Sequence, residues 1–233
     1  MYKLLAAVIG TLMISSAQAA ISLSTPAAAL GSGSVPGLTG TFWSVGAFLP
    51  TIAANDAAIV GLSPAATFRL TTPSTAYNLN STLTNFLAGA GTVLTGNGAA
   101  PITQSYSIID GFISIGTPGV RTFSLGSDDG SQLFVGGQLA VNNDGNHPLI
   151  PATDTVDFQA AGLYAIRLKF FENTGATALQ LQWDEAGGFA TVPSGLLFSS
   201  VPTNTSVVPL PAAGWLLMGG VALIGGFARR RKG

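Results

Sequence analysis

The chain has 233 residues, with nine Lys+Arg against ten Asp+Glu and a formal net charge of −1. Only 8% of residues are charged, 47% are hydrophobic, and Cys is absent. This composition excludes a charge-driven disordered chain, a phosphate-binding nucleic-acid protein, a disulfide framework and thiolate chemistry. A single histidine, His147, leaves no multi-histidine metal chemistry.

At the N-terminus, Lys3 precedes an uncharged apolar run from Leu4 to Ile14. Ala17-Gln18-Ala19 then places small residues at the −3 and −1 positions of a cleavage site. The pattern predicts a secretory signal peptide over 1–19. The apolar run is short for the roughly 20 residues that a membrane span needs. Residues 20–36 read as a low-complexity Ala/Ser/Gly leader.

The body, 37–199, reads as all-β. Helix-like stretches are confined to Ala53–Val60 and Thr82–Leu87. Leu133-Phe134-Val135 and Gln138-Leu139-Ala140-Val141 flank Gly136-Gly137, a two-residue hairpin turn. In Tyr164–Phe170, alternation puts Ile166, Leu168 and Phe170 on one face and Arg167 and Lys169 on the other. Leu179, Leu181 and Trp183 alternate in the same way. Short strands separated by Gly, Asn, Asp and Pro predict a sandwich or barrel. Its core is expected to hold Phe123, Leu133, Val135, Ile166, Leu168, Leu179, Leu181 and Trp183. Trp43 is expected in the core too, the alternative being an exposed ring that stacks on a sugar.

Residues 200–207 read as a linker. An uncharged run from Ala212 to Ala228 follows, ending in Arg229-Arg230-Arg231-Lys232. As a helix it would extend about 25 Å, near the hydrocarbon thickness of a bilayer. The basic end should remain cytoplasmic by the positive-inside rule. The bare reading is a single C-terminal transmembrane helix with the body outside. All ten acids lie between Ala20 and Ser206, with only Arg69, Arg121, Arg167 and Lys169 as cations. An acidic, cysteine-free exported body suits a hard cation bound by oxygen, such as Ca²⁺.

The tail also resembles the PEP-CTERM sorting signal of Gram-negative bacteria in its VPLPA variant. The residues are Val208, Pro209, Leu210, Pro211 and Ala212, then the apolar helix, then Arg229, Arg230 and Arg231. Leu210 stands where the name-giving motif has Glu. The resemblance, over 208–233, implies an exosortase as processing partner, with a membrane anchor before processing. It further implies export through the inner membrane to the cell surface or an extracellular matrix, in an exopolysaccharide or biofilm setting.

The body resembles the PA14 domain. Gly37–Trp43 is similar to its opening strand, and Phe123–Val135, with Ser127-Asp128-Asp129-Gly130, to its central strand and turn. Gly162–Glu172 with Ala178–Trp183 resembles the last long hairpin, and Gly195–Phe198 the closing strand. Gly136 departs from members with Asp before the hairpin Gly. The resemblance implies a β-sandwich that binds carbohydrate. In glycan-binding members it further implies a cis peptide between Asp128 and Asp129, with both carboxylates and Asn173 holding Ca²⁺. The residues themselves also allow Asp-Asp-Gly to be a plain turn, its carboxylates capping local N–H groups.

Asn142–His147 forms a second polar cluster, either a solvated loop or a rim through which Asn143 contacts a glycan. Three classes of function follow: a Ca²⁺-dependent carbohydrate-binding surface or adhesion protein, a structural matrix protein without soluble ligand, and an enzyme. Glycoside hydrolysis needs two carboxyls about 5–9.5 Å apart across a cleft, which adjacent aspartates do not provide. No G-x-S-x-G elbow is present. The expectation is therefore a non-enzyme.

Overall fold

The computed structural model describes residues 20–185 and 187–201. The expected signal peptide, apolar helix and sorting motif lie outside the described residues. Among the described residues, no helix is long and apolar enough to cross a membrane.

In chain order the strands are β1 (Ile21–Leu23), β2 (Val35–Pro36), β3 (Leu38–Ser44), β4 (Ala66–Leu70), β5 (Gly91–Gly96), β6 (Ser105–Ile115) and β7 (Gly119–Asp128). They continue as β8 (Ser131–Val135), β9 (Gln138–Asn143), β10 (Ile150–Phe158), β11 (Gly162–Glu172), β12 (Ala178–Glu185), β13 (Gly188–Thr191) and β14 (Leu197–Ser200). Helix α1 (Ile52–Ala58) and helix α2 (Leu83–Phe86) fall where the sequence predicts helix. Each starts at a threonine N-cap, Thr51 or Thr82, whose hydroxyl accepts a backbone N–H from the first turn.

The smaller sheet runs β1-β10-β7-β12-β13. The larger runs β5-β4-β3-β6-β11-β8-β9, with β14 pairing with β6 and β2. The two sheets face each other across one core, which joins Phe123, Leu125, Leu181 and Trp183 of one to Leu133, Ile166 and Leu168 of the other. Phe158 and Tyr164 meet edge to face at 4.8 Å between the layers. All eight residues expected in the core are buried, Trp183 retaining 6% exposure. Trp43 is only half-buried, and its indole N–H donates to the Leu62 carbonyl at 3.1 Å. The Gly136-Gly137 turn has φ values of 58° and 80°, the positive pair that a two-residue hairpin of this twist requires.

The leader differs from its low-complexity reading. Ile21–Leu23 pairs in parallel with Val156–Phe158, and Leu23 packs into the core. Val35 and Pro36 pair with β14. Three residues suffice because the sheet edge at β10 already offers unpaired N–H and C=O groups.

Candidate functional site

The chain changes sheet twice at the same end of the sandwich. Strand β7 ends in the smaller sheet at Asp128, and β8 begins in the larger sheet at Ser131. Strand β11 ends in the larger sheet at Glu172, and β12 begins in the smaller at Ala178. The two crossings lie side by side, because Asp128 pairs with Ala178 and Ser131 with Phe170. The Phe171 N–H donates to the Gly130 carbonyl at 3.0 Å, tying one crossing to the other.

Gly130 is what lets them meet. A Cβ there would lie 2.4 Å from the Phe171 ring and 2.7 Å from the Gly145 carbonyl oxygen. The Asp128–Asp129 peptide is cis. Beneath the turn, the Ser127 and Ser131 hydroxyls share a 2.7 Å hydrogen bond, and Asn143 Nδ2 donates to Ser127 Oγ at 3.0 Å.

Three carboxylates converge here. Oxygens of Asp128, Asp129 and Glu172 all lie within 4.8 Å of one another, and all three residues are buried. Asp129 is held at both oxygens, accepting the Asn173 N–H at 2.8 Å and the His147 N–H at 3.2 Å. Glu172 is 0% exposed, and neither of its oxygens has a hydrogen-bond partner. The nearby Thr177 hydroxyl is also buried and unpartnered.

Electrostatics follow from this geometry. Burial raises the pKa of Glu172 to about 8, with the charges of Asp129 and then Asp128 adding to the rise. The Thr177 hydroxyl and the Asp129 backbone oppose it from nearby, without reaching hydrogen-bond geometry. Burial also raises Asp128, helped by Asp129 and opposed by the Tyr77 hydroxyl beside it. Burial raises Asp129, against the backbone N–H bonds it receives. Three acids that resist ionisation together form a site that a hard cation would neutralise.

Asn173 is brought to the aspartates, but chiefly by its backbone. Its side-chain oxygen accepts the Leu49 N–H at 3.0 Å, and its Nδ2 donates to Asn146 Oδ1 at 2.9 Å and the Leu49 carbonyl at 3.2 Å. It thereby ties the loop before α1 and the Asn142–His147 loop to the crossing. Asn143 does not stand on a rim: it is 6% exposed, and Nδ2 also donates to the Ile150 carbonyl at 3.0 Å. Asp144 binds the Ile52 N–H at 2.8 Å, and both ring nitrogens of His147 lie 3.0 Å from backbone carbonyls. The polar cluster is a structural brace around the carboxylates.

Glu172 is absent from the sequence-based set. Its signal was strand parity: it continues the inward face of Ile166, Leu168 and Phe170, placing a carboxylate where alternation calls for an apolar residue.

Residues 91–193 match the PA14 domain family. No curated protein matches the chain. Among solved structures, the PA14 domain of the MpAFP antifreeze protein superposes with a TM-score of 0.62 at 20% identity, covering 71% of this chain and 92% of that one. A PA14 sugar-binding domain from an RTX adhesin gives 0.59 at 19% identity, covering 72% and 100%. The epithelial adhesin 6 A domain of Candida glabrata, solved with Galβ1-3GlcNAc, gives 0.52 at 15% identity, covering 77% and 94%. These likenesses are of fold.

Proposed function

We propose that the protein is an exported surface or matrix protein that binds carbohydrate through a cation at Asp128, Asp129 and Glu172, a reading supported by the match of residues 91–193 to the PA14 domain family. The observation that carries this reading is the buried, unpartnered carboxylate of Glu172 facing two aspartates. An acid in that position lacks compensation within the protein, and a divalent ion supplies it. The donor set is all oxygen, as Ca²⁺ prefers, and three carboxylates leave coordination positions for sugar hydroxyls. Asp128 and Asp129 would hold the ion, Glu172 would add the third charge, and the Asn173 and His147 N–H groups would orient Asp129. Tyr77, 51% exposed beside Asp128, offers a ring on which a sugar could stack. Sugar-binding and adhesin domains among the structural neighbours support a glycan ligand.

Export rests on the 1–19 leader, and exosortase processing on the tail from Val208 to Arg231. The expected product lies at the surface of a Gram-negative cell or in its matrix, with no catalytic role. Mass spectrometry of the exported protein should find a start near Ala20 and no Arg229–Gly233. An intact tail in a host with the matching exosortase would reduce the tail to a plain anchor.

Titration calorimetry with Ca²⁺ tests the site. Extracellular modules bind at about 10⁻⁴–10⁻³ M, and heat of that affinity should vanish in Asp129→Asn. Absence of heat at millimolar Ca²⁺, or equal heat in the variant, would sink the cation reading. Cation binding without any signal on a broad glycan array would leave a structural ion and a matrix protein without soluble ligand.

A further inference from the structure

The outer face of the larger sheet carries a groove of about 470 Å³, built from residues that the carboxylate site does not use. Strand register sets Phe134 of β8, Arg167 of β11 and Asp110 of β6 side by side across three strands. The row continues through Thr39 of β3 to Arg69 of β4. Their chain neighbours Leu133, Ile166 and Ile109 are buried, so these side chains face outward.

The groove is held in shape by its own charges. Arg167 Nε and Nη2 donate to the two Asp110 oxygens at 2.6 and 3.2 Å, and both side chains are half exposed. Lys169 Nζ donates to Asp56 Oδ2 at 2.7 Å and lies 5.5 Å from the Phe134 ring centre. The Arg167–Asp110 pair, being half exposed, adds little stability. What it provides is a planar fork offering N–H donors and carboxylate acceptors together, beside an aromatic ring. That pairing matches vicinal hydroxyls and the C–H face of a pyranose. Each of the two central cations is matched by an acid, so the groove has no strong field to draw a polyanion toward an acidic body. Adjacent strands stand about 4.8 Å apart, close to the advance per sugar along an extended chain.

We propose that this groove is a second binding site, independent of any cation, for an uncharged extended polysaccharide lying across β6, β11 and β8. Phe134 stacks on a sugar ring, and the Arg167–Asp110 fork binds the hydroxyls of its neighbour.

Affinity electrophoresis tests this with the purified protein in EDTA, in gels containing hydroxyethylcellulose, galactomannan or alginate. Retardation is expected in a neutral gel, with at least a fivefold loss of affinity in Phe134→Ala and in Arg167→Lys. The second change keeps the charge and removes the fork, and thermal melts check that both variants fold. Asp129→Asn should migrate as wild type in EDTA, which separates this site from the carboxylate cluster. Migration unaffected by either neutral polysaccharide, or equal retardation of wild type and both groove variants, would overturn the proposal. So would retardation by alginate alone, or dimerisation that Phe134→Ala abolishes, which would mark the face as a contact between copies.

Discussion

Replacing Glu172 by Gln should stabilise the cation-free protein at neutral pH. The folded state raises the Glu172 pKa from 4.5 to about 8, through burial and then the charges of Asp129 and Asp128. A raised acid holds its proton in the folded state after the unfolded chain has released it. Its favourable contribution is therefore complete below pH 4.5 and is lost as pH climbs toward 8. At pH 7, the gap from the unfolded value of 4.5 makes the penalty against a non-ionising isostere at most about 3 kcal/mol. Relaxation and water entry around the ionised group lower this, so the expected gain for Glu172→Gln is about 1–3 kcal/mol. In a body of this size that is about 2–4 °C of Tm per kcal/mol. The new amide has the unpartnered Thr177 hydroxyl close by. Thermal melts in EDTA should show the variant above wild type at pH 7 and level with it at pH 4. Millimolar Ca²⁺ should narrow the gap at pH 7, because at about 10⁻⁴–10⁻³ M affinity wild type gains roughly 0.4–1.4 kcal/mol from a ligand that the variant has lost. A variant less stable at both pH values in EDTA, or a difference that ignores pH, would refute the electrostatic reasoning.

Three further outcomes follow from the packing. Trp183→Ala removes a ring that lies 6.3 Å from Phe123 in the core, and urea denaturation should show a loss of about 3–5 kcal/mol. Asp56→Ala strips the acceptor from the buried Tyr106 hydroxyl, at 2.7 Å, and from Lys169; a loss of about 1–3 kcal/mol is expected, and a double-mutant cycle with Tyr106→Phe should show coupling. Gly130→Ala drives a methyl into the Phe171 ring and the Gly145 backbone; it should abolish Ca²⁺ heat in calorimetry and cost about 1–3 kcal/mol of stability.

Local periodicity reached most of the body. Alternation along Tyr164–Phe170 and Ala178–Trp183 identified two inner strands, and Gly136-Gly137 marked the hairpin, because these signals lie within a few residues of one another. The Ser127–Gly130 block pointed to the place where the carboxylates gather. Strand β1 was hidden, since among the described residues its strand partner is Val156–Phe158, far along the chain, and three residues carry no period. The resemblance to glycan-binding PA14 domains marks Asn173 as a ligand, and Asn143 stands in a polar run that reads as either a solvated loop or a glycan-contacting rim. Which atoms they spend on Ile150, Leu49 and Asn146 depends on loops whose approach no local pattern encodes. Glu172 was legible in principle, but a charged residue that ends an apolar run equally fits a strand leaving the core for solvent.

The junction of β2, β14 and β6 has a mechanical meaning. The Ser34 N–H donates to the Ser200 carbonyl at 3.1 Å, their hydroxyls meet at 2.9 Å, and the Gly37 N–H donates to the Leu197 carbonyl at 2.8 Å. On its other edge β14 holds β6 through Leu197 and Phe198. A load applied at Val201 therefore enters through this short clamp and reaches the centre of the larger sheet. Pulled along the strand axis, its bonds bear the load in parallel and shear together; pulled sideways, they peel one after another. The lifetime under tension is set by the barrier to that rupture rather than by equilibrium stability. The direction of pull thus decides how long the clamp survives.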